Sequence, residues 1–375
     1  MKTPSFHLYK MDVLRGFAII MVFSLHALQV YTGHHIEVEV GGPFVKDFTG
    51  QPWDLIFYTL SPIGYGWTGV QLFFVISGFL IHYSYLRRGG EILKKKEFFI
   101  KRFFRIYPPY FFALLLFAFV GGHVALSSKH GIYDFVSHLL MTYNFDPDTY
   151  FSFNGSFWSL ALELQLYLIY PLFLWIRKKR GIKNTILILF VMYAFFTVTR
   201  YFITNDYYVF LSHGNVFKNW IIWGLGAWLG ENYYSGKQTL PVKSGWIWFM
   251  FFAFSTLKAF PFMSGLLDIV WTVFYIILAN SYLFSKRKEP LNWEKVLINL
   301  GESSYSFYLL HQPVLVALAG VVSILGLSSI HPAFHILDGI VIFIIVHLLS
   351  IGYYQLMEKP SIEMGRKVIK KLAKQ

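Results

Sequence analysis

Ten apolar runs dominate this chain. They fall near residues 13–31, 66–84, 106–121, 157–176, 184–204, 216–232, 246–262, 265–284, 303–325 and 334–356. A helix needs about 20 apolar residues to cross the hydrocarbon core, with an accepted range of about 17–25. Such runs, repeated along most of a 375-residue chain, leave little room for a soluble core. Charged residues make up 14% of the chain, where a soluble protein carries about 25%. The predicted fold class is therefore all-α: a polytopic integral membrane protein with about ten transmembrane helices. The first run is followed by no small-residue cleavage site, so it reads as a retained span. Only "PFMSG" separates the seventh and eighth runs.

Lys and Arg give the orientation. With both termini in the cytoplasm, 28 of the 33 basic residues fall in the tails, the inner loops or at the inner membrane edge. Lys46, Lys129, Arg200, Lys218 and Lys258 are the others. This asymmetry is the positive-inside pattern. It also explains the net charge of +13 without nucleic acid, because the basic residues lie between spans and not on one soluble face. The absence of cysteine excludes disulfides, thiolate metal sites and Cys nucleophiles. No soluble domain or internal repeat is evident. Residues 1–375 read as one membrane domain with a core of about 11–362 and short cytoplasmic tails. The outer loop 32–65 carries Glu37, Glu39, Asp47 and Asp54 against Lys46.

Polar residues within spans are functional candidates, because membrane-depth charges usually face a bundle interior or a watery cavity. Arg15 and His26 are eleven residues apart. Eleven helical steps return to within about 20° of the same face at a rise of ~16 Å. Arg15 thus sits at the cytoplasmic rim and His26 deeper on the same face; the plainer alternative is a snorkelling Arg and a structural His. Ser156, Ser159, Glu163, Tyr167 and Tyr170 form one polar stripe on the fourth span. Counted from the outer edge, Glu163 and His26 share a level, so a Glu163–His26 pair is expected, catalytic or merely structural.

Arg102 and Arg105 share a face at the start of the third span, within the densest basic cluster. They suit bidentate phosphate binding, against ordinary inner-leaflet topology. Ser77 and Gly78 suit close helix packing. His311 precedes Pro313, so it lines a kinked cavity or satisfies freed backbone groups. Nothing in the spacing of His347 or Asp268 raises them above structural partners.

These residues resemble the acyltransferase-3 family of integral membrane O-acyltransferases, from about Met11 to Ile362. "MDVLRG…H", "FFVISGFLI", "RFFRIYPPY", "WSLALELQLYLIYP", "SYSFYLLHQPV" and "EKP" occur in the family's order. Gln71 stands where the family often has an acid, and Val13 and Leu164 are smaller departures. No esterase-like extracellular domain follows the tenth span, as it does in some relatives.

The resemblance implies O-acyl transfer at a bacterial cytoplasmic membrane, most simply of acetyl. The donor would be cytoplasmic acyl-CoA, a cosubstrate and not a resident cofactor. The acceptor would be a hydroxyl of a cell-surface or lipid-linked carbohydrate. On this reading Arg15, Arg102 and Arg105 bind the donor, and His26 is general base or transient acyl carrier. Glu163 orients His26 or shares its proton, and Trp158, Ser159, Tyr167, His311 and Ser77 shape the pocket. No metal, cofactor or nucleic acid is expected. Partners are acyl-CoA, the glycan and membrane lipids, with homo-oligomerisation left open. The rival class is a transporter or flippase of polysaccharide or its precursors, since many spans with a kinked polar helix suit that task too.

Overall fold

The computed structural model describes residues 8–32, 65–90, 93–120, 128–202, 214–256, 264–324 and 332–374. The acidic stretch with Glu37, Glu39, Lys46, Asp47 and Asp54 lies outside them, as does Lys258. Among the described residues every regular element is helical. The order is α1 (Tyr9–Thr32), α2 (Thr68–Leu86), α3 (Lys95–Val120), α4 (Lys129–Leu139), α5 (Trp158–Thr199), α6 (Val216–Tyr234), α7 (Ser244–Thr256), α8 (Ser264–Leu283), α9 (Asn292–Glu302), α10 (Ser304–Ile324), α11 (Pro332–Tyr353) and α12 (Lys359–Leu372). Each predicted apolar run has its centre on one of these. By length and composition six helical segments among the described residues suffice to cross a membrane, in α1, α2, α5, α8, α10 and α11 with its continuation. The chain is an all-α, multi-pass membrane protein.

Two boundaries differ from the sequence expectation. The basic loop expected at 177–183 stays helical, because Lys and Arg are good helix formers. The two runs it separates are halves of α5, broken only at Gly181 (φ 75°, ψ 164°), a backbone state that favours glycine. The proline of "EKP" does not end the last helix. One π-helical turn (Tyr354–Glu358) follows α11, and Pro360 then sits in the first turn of α12, where its missing N–H costs nothing. Helices α4, α9 and α12 were not foreseen, being too short or too polar to register as spans.

Small residues set the helix crossings. A Cβ on Gly78 of α2 would lie 2.0 Å from the Trp223 carbonyl oxygen of α6, and one on Gly226 of α6 would lie 2.1 Å from that of Val75. The same reciprocity joins α1 to α9. There a Cβ on Gly16 would lie 2.2 Å from Leu297 O, and one on Gly301 would lie 2.0 Å from Asp12 O. Lipid tails give apolar helices no reason to associate, so backbone approach of this kind supplies the packing.

Helix α3 continues through Pro108 and Pro109. Pro108 cannot donate to the Phe104 carbonyl, which accepts instead from Ser361 Oγ of α12. Tyr305 Oη donates to Ile106 O at 2.8 Å and Tyr353 Oη to Pro109 O at 2.6 Å. Helices α10, α11 and α12 are thereby tied to the segment that carries Arg102 and Arg105.

Candidate active site

Three chambers lie in file through the bundle. The first, a basic vestibule, is lined by Arg88, Lys94, Lys101, Arg102 and Tyr170 among others. Glu97 closes one side, held below the usual carboxylate range chiefly by its hydrogen bond with Lys101. The second chamber shares Ile81 and Arg102 with the vestibule. It gathers Arg15, Arg102, Arg105, Glu163, Tyr167, Ser77, Ser159 and Tyr308. The third shares Val70, Phe74 and Tyr308 with the second and is lined by His26, Gln71, Trp158 and Asp268.

The expected grouping of Arg15, Arg102 and Arg105 is present. Arg15 Nη1 contacts Asp12 Oδ1 at 2.7 Å. The Arg102 guanidinium lies 5.4 Å from the ring centre of Tyr167 and 5.8 Å from that of Phe98. Its Nε has no hydrogen-bond partner among the described residues. Glu358, Tyr167, Glu163 and Asp12 act on Arg105 electrostatically. Three arginines thus line one chamber in which Glu163 is the one carboxylate among the described lining residues, an arrangement stable in apolar surroundings only when nearby charges or a ligand balance it.

The polar stripe of α5 faces the bundle as expected. Ser156 Oγ donates to Gln312 Oε1 at 2.7 Å, and Ser159 Oγ lies 2.7 Å from Tyr308 Oη. Tyr167 Oη donates to Glu163 Oε1 and lies 3.3 Å from Ser77 Oγ. Tyr170 Oη is 3.1 Å from His82 Nδ1. Of the proposed pocket residues, Ser77, Ser159 and Tyr167 line the arginine chamber, and Trp158 lines the histidine chamber.

The expected Glu163–His26 pair does not form. His26 Nδ1 lies 2.8 Å from His311 Nε2, while Glu163 is held by Tyr167 in the arginine chamber. His26 shares its chamber with Trp158, the first residue of α5, so it is level with that helix end. Glu163 lies five residues further along, a rise of ~7.5 Å. Counting inward from two helix ends had assumed that both ends lie at one depth.

His311 does more than relieve the Pro313 kink. Its Nδ1 lies 2.8 Å from the Tyr308 carbonyl oxygen. A carbonyl only accepts, so Nδ1 carries the hydrogen and, in the neutral ring, Nε2 is the acceptor. His26 Nδ1 must then donate to His311 Nε2, which leaves His26 Nε2 with a bare lone pair. Ser156 Oγ flanks the pair, 3.3 Å from His311 Nε2. The chain Tyr308–His311–His26 thus fixes the tautomer of His26, as the orienting group does for any histidine base.

Sequence reasoning missed Tyr308, whose hydroxyl and carbonyl serve both chambers, although it stands one turn before His311. It also passed over Asp268. Lys218 Nζ contacts Asp268 Oδ2 at 2.8 Å and Gln71 Nε2 donates to Asp268 Oδ1 at 2.7 Å, so this carboxylate lies beside the position where Gln71 departs from the family pattern. His347 lines none of the three chambers.

Comparisons with known proteins identify the family. The family model described as an acyltransferase domain matches residues 8–354. ORF330 of Acidianus two-tailed virus, provisionally named an acetyltransferase, is 27% identical over 73% of this chain and 80% of its own length. YrhL of Bacillus subtilis, provisionally named a peptidoglycan O-acetyltransferase, is 27% identical over 79% of this chain and 50% of its own. The peptidoglycan O-acetyltransferase OatA of Listeria monocytogenes is 32% identical over 33% of this chain and 22% of its own. The chain thus spans half or less of the length of the last two relatives. No solved structure matches it. With its matched family covering nearly the whole chain, and with apolar helices that cross a bilayer, the protein belongs to the acyltransferase-3 family and is a multi-pass membrane acyltransferase of groups other than amino-acyl groups.

Proposed function

We propose that this acyltransferase moves a short acyl group, most simply acetyl, from acyl-CoA to a hydroxyl of a cell-surface or lipid-linked carbohydrate. The observation that carries the reading is the file of chambers, which leads from a basic vestibule past three arginines to His26. The donor's phosphates would bind Arg102 and Arg105, with Arg15 beside them, and its acylated arm would extend toward Tyr308. The helix rise of ~16 Å between Arg15 and His26 suits such an arm. The acceptor would enter the histidine chamber from the opposite end. The lysine and arginine bias supports a cytoplasmic vestibule.

In the transfer, His26 Nε2 takes the proton of the acceptor hydroxyl as its oxygen attacks the thioester carbonyl. The carbon–sulfur bond then breaks, and the leaving sulfur recovers that proton from the imidazolium. General base catalysis of this kind contributes typically 10²–10⁴-fold. His311 supports it by holding His26 Nδ1–H. Glu163 keeps the arginine chamber near charge balance and fixes Tyr167, a role at the donor rather than at the histidine. Transient acylation of the same nitrogen is the alternative route, and it predicts labelled protein when donor is supplied without acceptor.

A file of chambers is also what a conduit for glycans would need. Proteoliposomes separate the two. Acyl transfer from radiolabelled acetyl-CoA to a glycan acceptor supports the enzyme. Sugar movement across the bilayer without donor, together with no binding of acetyl-CoA, would replace it with the transporter.

A further inference from the structure

The histidine chamber contains a polar cluster that the chemistry at His26 leaves unused. Gln71 and Asp268 line its wall. The carboxylate of Asp268 accepts from Gln71 Nε2 at 2.7 Å and from Lys218 Nζ at 2.8 Å. Lys218 does not line the chamber; its ammonium lies behind the wall, 5.7 Å from the ring centre of Tyr193. Because a carboxylate only accepts, the Gln71 amide must turn its nitrogen to Asp268. Its Oε1 is then left buried with no hydrogen-bond partner among the described residues. Such an orphaned acceptor is uncommon in a folded protein and calls for an explanation.

The rest of the wall is largely aromatic. Trp67, Phe74, Tyr150, Phe151 and Trp158 surround the cluster. Tyr150 and Trp158 stack with ring centres 6.0 Å apart and planes 21° from parallel. Phe151 is 54% exposed, which places one side of this wall at the surface.

We infer that this wall is the acceptor subsite, and that it selects a neutral sugar unit over a charged one. The inference rests on the acyltransferase reading for calling the sugar an acceptor. Aromatic faces meet the apolar face of a sugar ring, while hydroxyl groups donate to Gln71 Oε1 and to the remaining lone pairs of Asp268. Asp268 is the one acidic or basic side chain besides His26 among the described residues of this wall, and Lys218 already neutralises it. A uronic acid would find no free cation there, and the ammonium of an amino sugar would compete with Lys218 for the same carboxylate. Either charge would be desolvated without a partner, which is costly.

The test is binding of sugars to the purified full-length protein, read by tryptophan fluorescence, since Trp67 and Trp158 line the chamber. Three probes are compared: neutral tri-N-acetylchitotriose, cationic chitotriose and anionic trigalacturonic acid. The expected result is that the neutral sugar binds at least tenfold more tightly than either charged one. Gln71→Leu and Asp268→Asn should each weaken it at least tenfold while the protein still elutes as a single species. Wild-type affinity in both variants, equal binding of a charged probe, or no binding of the neutral sugar overturns the subsite. No donor is present, so the outcome is independent of acyl-CoA. Selective sugar binding without acetyl transfer would sink the proposed reaction and leave the subsite standing.

Discussion

His26 of α1 and His311 of α10 lie 2.8 Å apart, joined Nδ1 to Nε2, although 285 residues separate them in the chain. The Tyr308 carbonyl fixes the hydrogen on His311 and, through it, the hydrogen on His26. A lone pair left on His26 Nε2 is the chemical consequence.

If His26 is the base, His311 is a positioning residue whose replacement acts on turnover. His311→Leu should lower kcat about 10²-fold, since the base loses its tautomer control, with little change in the KM for donor. His311→Gln, whose Oε1 can still accept from His26 Nδ1, should recover a substantial part. Steady-state kinetics of the two variants check this. Equal losses in both would reduce His311 to a packing role.

On the proposed reading Arg102 and Arg105 bind the donor's phosphates. Charge-assisted hydrogen bonds to phosphate are worth about 1.5–3 kcal/mol each, roughly ten- to a hundredfold in affinity. Arg102→Ala with Arg105→Ala should raise the apparent KM for acetyl-CoA at least a hundredfold and leave acceptor affinity unchanged. Donor titrations at fixed acceptor measure it. Lysine at both positions should rescue only partly, because the bidentate fork is lost.

Gly78→Val should destabilise the bundle without touching either chamber's chemistry. Its Cβ would enter the space of the Trp223 carbonyl, 2.0 Å away, and the crossing partner is backbone that cannot swing aside. Overpacking of this kind costs about 1–3 kcal/mol. The midpoint of heat-induced loss of the folded species in detergent should fall, and Gly181→Ala should lower it through backbone strain instead.

Ser361→Ala would leave the Phe104 carbonyl, already deprived of a partner by Pro108, without its hydrogen bond. A fully buried acceptor left unpaired costs about 1–3 kcal/mol, and this partly buried one costs less. Thermal stability should drop, and hydrogen exchange should quicken in α12.

Much of this site could be read from the chain alone. The spacing of Arg15 and His26, the stripe from Ser156 to Tyr170 and the pair Arg102–Arg105 are periodic features of single helices, and helix geometry fixes their facing. What joins separate helices was not legible. Nothing in the spacing of α1 or α10 says that His26 meets His311 rather than Glu163, because relative depth depends on where each helix ends. Asp268 reads from the chain as no more than a structural partner, because the residues it meets, Lys218 and Gln71, each lie on another helix. Helices α9 and α12 carry too little apolar surface to register as spans. Yet Gly16 and Gly301 bind α9 to α1, and Ser361 binds α12 to the diproline of α3.

The central claim is that acyl transfer runs through His26. Its most direct test is label transfer from radiolabelled acetyl-CoA to a glycan acceptor by the reconstituted protein, wild type against His26→Ala, with acetyl-CoA binding measured on the same samples. The account predicts that His26→Ala binds donor normally and transfers at least about 10²-fold more slowly. Transfer at the wild-type rate by His26→Ala would contradict it.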